Sequence, residues 1–195
     1  EGLSFRQAGE YLLLGGSGHR TGHAYGKKGK TKSVCAGAYE SLEREAKRYY
    51  PKSRIVTRWS AQDCMPHDGI PFIGKYSVFT PHLYVATGFG KWGMSTSMVA
   101  AKLLCDEICG KENPYEALFS PQRFLIRAGG KDFLKDVGIS AVNLTKGLVS
   151  RKRCTHMGCA LSWNAQTRSW DCPCHGSRFD EDGKVLDNPA KEDLS

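Results

Sequence analysis

The sequence predicts an α+β fold built from two unequal parts. Three observations carry this. Over residues 1–122, short β-patterned runs alternate with two stretches of helical period. Over 150–195 the helical period disappears, and two Cys- and His-bearing blocks flank a hairpin-length spacer. Between them, 111–122 holds Pro114 and Pro121 and marks a boundary, after which 123–149 is mixed apolar and basic. That connecting stretch reads as helical in pieces around Gly138, because glycine weakens a helix interior.

The elements follow in order. Residues 2–7 and 10–15 read as a hairpin turning at Ala8-Gly9, and a polar loop runs over 17–32. Tyr39, Leu42, Ala46 and Tyr49 recur with the spacing of one helix face. Glu40 and Glu43 stand four residues before Arg44 and Lys47, which supports that helix, and Pro51 ends it. Strands are expected at 54–59, 71–73 and 83–87. A second helix is expected over 95–109, with Met98, Ala101, Cys105 and Ile108 on one face and Gly110 as its stop. Cys105 and Cys109, one turn apart, suit a buried helix face.

Gly16-x-Gly18-x-x-x-Gly22 follows an apolar run and superficially suggests a dinucleotide fingerprint. That fingerprint needs a helix to open at once, so that its N-terminus can hold a pyrophosphate. His23-Ala24-Tyr25-Gly26 is no helix start, so the loop is read without a nucleotide role.

The net charge is +8, concentrated in residues 27–32 and 146–153. Neither run has interleaved aromatics or a nucleic-acid motif, so both read as solvated segments and no nucleic acid is expected. The second run abuts the first Cys/His block and suits attraction of an acidic electron-transfer partner. No apolar run approaches the length of a membrane span, so none is expected. Of eight Cys, Cys35, Cys64, Cys105 and Cys109 lie far from the Cys/His blocks. That distribution argues against a secreted disulfide scaffold and fits a cytoplasmic protein.

The chemistry concentrates in Cys154-Thr155-His156-Met157-Gly158-Cys159 and Cys172-Pro173-Cys174-His175-Gly176-Ser177. Each block pairs a thiol with an imidazole two or three residues on. Zinc also accepts two Cys and two His, but its usual spacings place like ligands together. Here the kinds alternate within each block. Two Cys and two His, split between two irons, form the ligand set of a Rieske [2Fe–2S] centre. The blocks resemble the Rieske iron–sulfur family, which implies Cys154, His156, Cys172 and His175 as cluster ligands. It also implies a Cys159–Cys174 disulfide tying the two loops together, as in the cytochrome-complex and ferredoxin-like branch. Ser177 matches the Ser that hydrogen-bonds a bridging sulfide in high-potential relatives. Those relatives carry a Tyr two residues later, where this chain has Phe179. Donors to sulfur favour the reduced, more negative cluster, so the resemblance implies a lowered potential. Asp187-Asn188-Pro189-Ala190 resembles the family's proline loop, which shields the cluster.

Leu83-Tyr84-Val85-Ala86-Thr87-Gly88-Phe89-Gly90-Lys91-Trp92-Gly93-Met94-Ser95 reads as strand, glycine loop and helix. This resembles the flavin-contacting segment of FAD-dependent oxidoreductases of the glycine oxidase and D-amino acid oxidase family. The match extends to Leu12-Leu13-Leu14-Gly15-Gly16, to Asp68-Gly69-Ile70-Pro71-Phe72-Ile73-Gly74 and to 114–124. It implies flavin contacts at Gly88, Phe89, Gly90, Lys91, Trp92, Gly93 and Met94. A helix N-terminus stabilises negative charge, which suits a reduced flavin. The family's N-terminal Gly-x-Gly-x-x-Gly unit has no counterpart here. The chain therefore resembles the C-terminal part of such a flavoprotein, expected to bind FAD weakly or not at all alone.

Taken together, the fold class is α+β: a mixed-sheet flavoprotein region over 1–122, a connecting segment over 123–149, and a small all-β Rieske cluster-binding subdomain over 150–195. The last is small for a core of its own and is expected to pack on the flavoprotein part. The expected function is flavin-dependent oxidation of an amine or amino-acid-like substrate, a small-molecule electron donor, with [2Fe–2S] electron transfer to an acceptor protein. The alternative is a stand-alone Rieske electron-transfer module. His67, Asp68 and Arg58 form no diagnostic catalytic constellation and are read as structural.

Overall fold

The computed structural model describes residues 2–23, 37–123 and 126–194, with side chains from 130 and 133 onward in the last stretch. Cys35 and the basic run 27–32 lie outside the described residues. The chain divides into two compact units, residues 1–60 with 136–195 and residues 61–135.

In the first unit, β1 (Ser4–Ala8) and β2 (Tyr11–Gly15) form the expected antiparallel hairpin around Gly9, whose φ of 59° explains the glycine. α1 (Ala38–Tyr49) is the expected amphipathic helix, with Lys47 and Arg48 in its last turn. Residues 54–59 form no strand: β propensity without a partner edge makes no ladder, and the segment is exposed and irregular.

In the second unit, β3 (Phe72–Lys75) pairs antiparallel with β4 (Tyr84–Thr87), and α2 (Gly93–Ile108) packs on β3. Gly110, at φ 65°, stops α2 as expected. The buried face of α2 differs from the expected one. Ala100 and Leu103 are buried with Ile73 and Asp106 is buried beside Asn113, while Met98, Cys105, Ile108 and Cys109 are exposed. Spacing alone fixes a face's period, and the partner surface selects the phase. A one-turn helix, α3 (Glu116–Phe119), follows and also contacts β3.

α4 (Ile126–Gly147) is one continuous helix of 22 residues, where pieces around Gly138 were expected. The glycine's cost, about 1 kcal/mol against Ala, is smaller than the gain of uninterrupted hydrogen bonding on both sides. Beyond it, β5 (Ser162–Asn164), β6 (Ser169–Asp171), β7 (Arg178–Asp180) and β8 (Val185–Asp187) form one antiparallel meander. The expected hairpin is β5–β6, closed by Trp163 against Trp170 at 5.0 Å between ring centroids. β7 and β8 are additional to the expected strands. The α+β class thus holds, with the all-β sheet confined to the C-terminal subdomain.

The small sheet keeps a core of its own. Phe179 is fully buried with Cys154, Cys159, Cys172 and Ala190, and Leu161, Trp170, Val185 and Leu194 pack around them. That core runs against the expectation from its size, and contacts with the N-terminal residues are present as well. The Tyr39 N–H and Glu40 carboxylate both meet the Gln166 side chain at the β5–β6 turn.

Candidate metal centre

The two Cys/His blocks fold into near-identical six-residue loops. In the first, the Cys154 N–H donates to Cys159 O at 2.9 Å and the Gly158 N–H to Cys154 O at 2.8 Å. In the second, the Cys172 N–H donates to Ser177 O at 2.8 Å and the Gly176 N–H to Cys172 O at 3.1 Å. Each loop turns on a glycine of positive φ, Gly158 at 77° and Gly176 at 86°. Each is flanked by an antiparallel pair, Arg153 with Ala160 and Asp171 with Arg178. Cys154 and Cys172 thus occupy equivalent positions, as do Cys159 and Ser177.

The loops bring the expected residues together with a clear polarity. The Cys154 and Cys172 thiols are buried, 2% and 1% exposed, and hydrogen-bonded to each other. His156 and His175 sit exposed at the loop tips with ring centroids 5.1 Å apart. The sulfur atoms of Cys159, Cys172 and Cys174 lie within 4.8 Å of one another. Ser177 is fully buried; its Oγ accepts the Ala190 N–H at 3.0 Å and its hydroxyl reaches Cys154. That contact docks residues 187–190 onto the second loop.

Electrostatics follow from this packing. The hydrogen bond with Cys172 and burial push the Cys154 thiol well up, whereas donation from Cys154 holds Cys172 below its ordinary value. Burial and the neighbouring Cys174 push Cys159 up to about 12. Burial, His156 and Arg20 hold His175 down, favouring the neutral imidazole that a metal takes as ligand. Two inward thiols and two outward imidazoles fit the donor set of a Rieske cluster.

Beneath the loops lies a buried polar network that the sequence reading missed. Arg178 Nε binds Asp171 Oδ1 at 3.2 Å, and its Nη1 binds Asp187 Oδ2 at 3.0 Å. Asn164 and Ser169 add hydrogen bonds to Asp171 at 2.8 and 2.7 Å. One guanidinium therefore joins the two ends of the second loop to the start of residues 187–190. The only signal in sequence was an Asp and an Arg placed symmetrically about that loop.

The glycine segment lies in the other unit. Gly88, Gly90 and Lys91 all take positive φ, at 75°, 51° and 74°, between β4 and α2. A Cβ on Gly88 would come within 2.6 Å of Pro66, so packing alone explains that glycine. Gly93 opens α2 with nothing within 4 Å of its missing Cβ. Lys91, Trp92, Gly93 and Met94 are exposed around that helix N-terminus, and Phe89 is half-buried. Asp68 serves structure: Arg123 grips its carboxylate at 2.9 and 3.0 Å with both side chains buried, and stacks 4.0 Å over Phe72. Arg58 pairs with Glu43 at 3.3 Å, and His67 packs edge-on against Phe133.

No described helix is long and apolar enough to cross a membrane. The family model of FAD dependent oxidoreductases matches residues 1–107, and that of the Rieske [2Fe-2S] domain matches 126–195. The Rieske 2Fe-2S iron-sulfur protein YhfW of Bacillus subtilis (strain 168) is 36% identical over 95% of this chain and 42% of its own length. The cytochrome b6-f complex iron-sulfur subunit of Nostoc punctiforme is 29% identical over 65% of this chain and 68% of that protein. That of Desmonostoc is 42% identical over 33% of this chain and 30% of that protein. The chain thus spans about two fifths of the length of YhfW. No solved structure matches. The chain belongs to the FAD dependent oxidoreductase family and carries a Rieske [2Fe-2S] electron-transfer domain, which imply FAD and a [2Fe–2S] cluster as cofactors.

Proposed function

We propose that the protein oxidises an amine or amino-acid-like substrate with FAD and passes the electrons on through a Rieske cluster. The observation that carries this is the pair of equivalent loops that brings two buried thiols and two exposed imidazoles together. On this reading Cys154 and Cys172 hold one iron, His156 and His175 hold the other, and a Cys159–Cys174 disulfide clamps the loops. Residues 1–122 belong to the flavoprotein part, 123–149 connect, and 150–195 hold the cluster.

FAD, when bound, would supply two-electron oxidation at a C–N bond, and a cluster held by Cys154, His156, Cys172 and His175 would supply one-electron transfer. The chain's own residues prepare both sites. The first-turn N–H groups of α2 and the Lys91 ammonium favour negative charge beside Gly88–Met94. Burial keeps water from Cys154 and Cys172, while the exposed imidazoles leave an outlet for electrons. The Ser177 hydroxyl supplies a hydrogen bond to the sulfur side. The basic run 146–153, exposed at Lys146, Arg151 and Arg153, suits an acidic acceptor protein.

Low-temperature electron resonance of the reduced full-length protein tests the cluster, and anaerobic reduction by a panel of amines and amino acids tests the coupling. A Rieske signal that grows on addition of substrate is expected. Absence of the signal refutes the cluster assignment. A signal that no amine elicits, in protein lacking bound flavin, leaves the electron-transfer module as the function.

A further inference from the structure

Both ligand loops rest on backbone contributed from outside the small sheet. The first loop sits on the end of α4: the Ala160 N–H donates to Asn143 O at 3.0 Å, and a Cβ on Gly147 would fall 1.9 Å from Gly158 O. The second loop sits on the N-terminal segment: a Cβ on Gly22 would fall 2.6 Å from Pro173 N and 2.7 Å from its Cα. Gly22 is buried and has a φ of 73°. Two residues before it, Arg20 Nη1 pairs with Asp136 of α4, each side chain about one third exposed. The two supports are thus tied to each other by one ion pair.

We propose that residues 16–23, which lie within the oxidoreductase-family match, complete the cluster's cradle, with Gly22 propping the second ligand loop and Arg20 acting as a positioning residue whose charge raises the cluster's potential. The inference rests on the cluster assignment above. The geometry is that of a wall: Gly22 is pressed against Pro173, which lies between the assigned ligands Cys172 and His175. Pro173 is itself buried, so a side chain at position 22 has nowhere to go except into the loop. Arg20 is held in place by Asp136, two residues from Gly22, whose backbone abuts Pro173 of the second ligand loop. A fixed cation near that loop favours the reduced, more negative cluster. The last glycine of the Gly16-x-Gly18-x-x-x-Gly22 pattern is thereby explained by close backbone approach to Pro173 of the cluster loop.

The test uses the full-length protein and three readouts: iron per chain, the g-values of the reduced centre, and the midpoint potential. Gly22→Val is expected to shift the g-values and lower cluster retention severalfold. Arg20→Gln is expected to lower the reduced-to-oxidised ratio at fixed poise by about threefold to tenfold, roughly 30–60 mV for a one-electron centre. Arg20→Lys should hold the wild-type potential. Should Gly22→Val fail to fold, Arg20→Gln and Asp136→Asn decide, since both loosen the tether without adding bulk. Wild-type g-values, iron content and potential in Arg20→Gln and Asp136→Asn overturn the proposal. A wild-type protein with no Rieske signal overturns the cluster assignment instead.

Discussion

Phe179→Tyr is the most informative single change to the cluster environment. Phe179 is fully buried on β7 and packs directly with Cys154 and Cys172. A hydroxyl added there enters the cluster's sulfur-side environment, with no solvent to satisfy it. A hydrogen bond to a charged acceptor contributes about 1.5–3 kcal/mol. Both oxidation states receive it, so the difference between them is smaller, on the order of 1 kcal/mol. At 1.36 kcal/mol and 59 mV per tenfold for one electron, that is a rise of about 40 mV. Overpacking of the site opposes folding by about 1–3 kcal/mol. A potentiometric titration followed by circular dichroism or electron resonance reads the shift, and denaturant unfolding reads the cost. A variant with a full cluster and an unchanged or lower potential refutes the argument that Phe179 keeps the potential down.

Three further outcomes are expected. On the proposed ligand set, Cys172→Ser removes a thiolate ligand, so iron content and the Rieske signal fall to background while the sheet persists by circular dichroism. Arg178→Ala leaves Asp171, 2% exposed, without its cation and costs about 3–5 kcal/mol, read as a fall in denaturation midpoint. Unchanged stability there excludes a role for the network in holding the second loop. Arg123 holds the Asp68 carboxyl below its ordinary value of 3.8. The stability this contributes is complete above pH 3.8 and is lost as pH falls through the lower folded value. Asp68→Asn therefore lowers stability at neutral pH and flattens the acid limb of the unfolding profile below pH 3.8; parallel limbs in the two proteins contradict the assignment.

What sequence spacing reveals here is local. Six-residue loops need a nearby glycine and matched strand ends, and all of that lies within residues 153–160 and 171–178. The candidate ligands were legible for that reason. Likewise Gly9 and Gly110 announced a turn and a helix stop, because positive φ is a property of one residue. The buried phase of α2 was illegible, since Met98 and Leu103 are equally apolar and only the position of Ile73 chooses between them. The Asp68–Arg123 and Arg178–Asp187 pairs were illegible for a similar reason: a charge pairs with whatever the fold brings near it.

The sequence by itself determined the chemistry of this protein: which side chains offer sulfur, which offer imidazole, and which segments carry the mark of a flavoprotein. These follow from residue type at short spacing, where chain connectivity alone places the groups. Only the tertiary structure decided what supports that chemistry. It put the thiols inside and the imidazoles outside, set Gly22 against Pro173 and Gly147 against Gly158, and joined Arg20 to Asp136. Those contacts span from 11 to 151 residues of chain, and their partners are selected by packing of whole elements, a quantity no local pattern records.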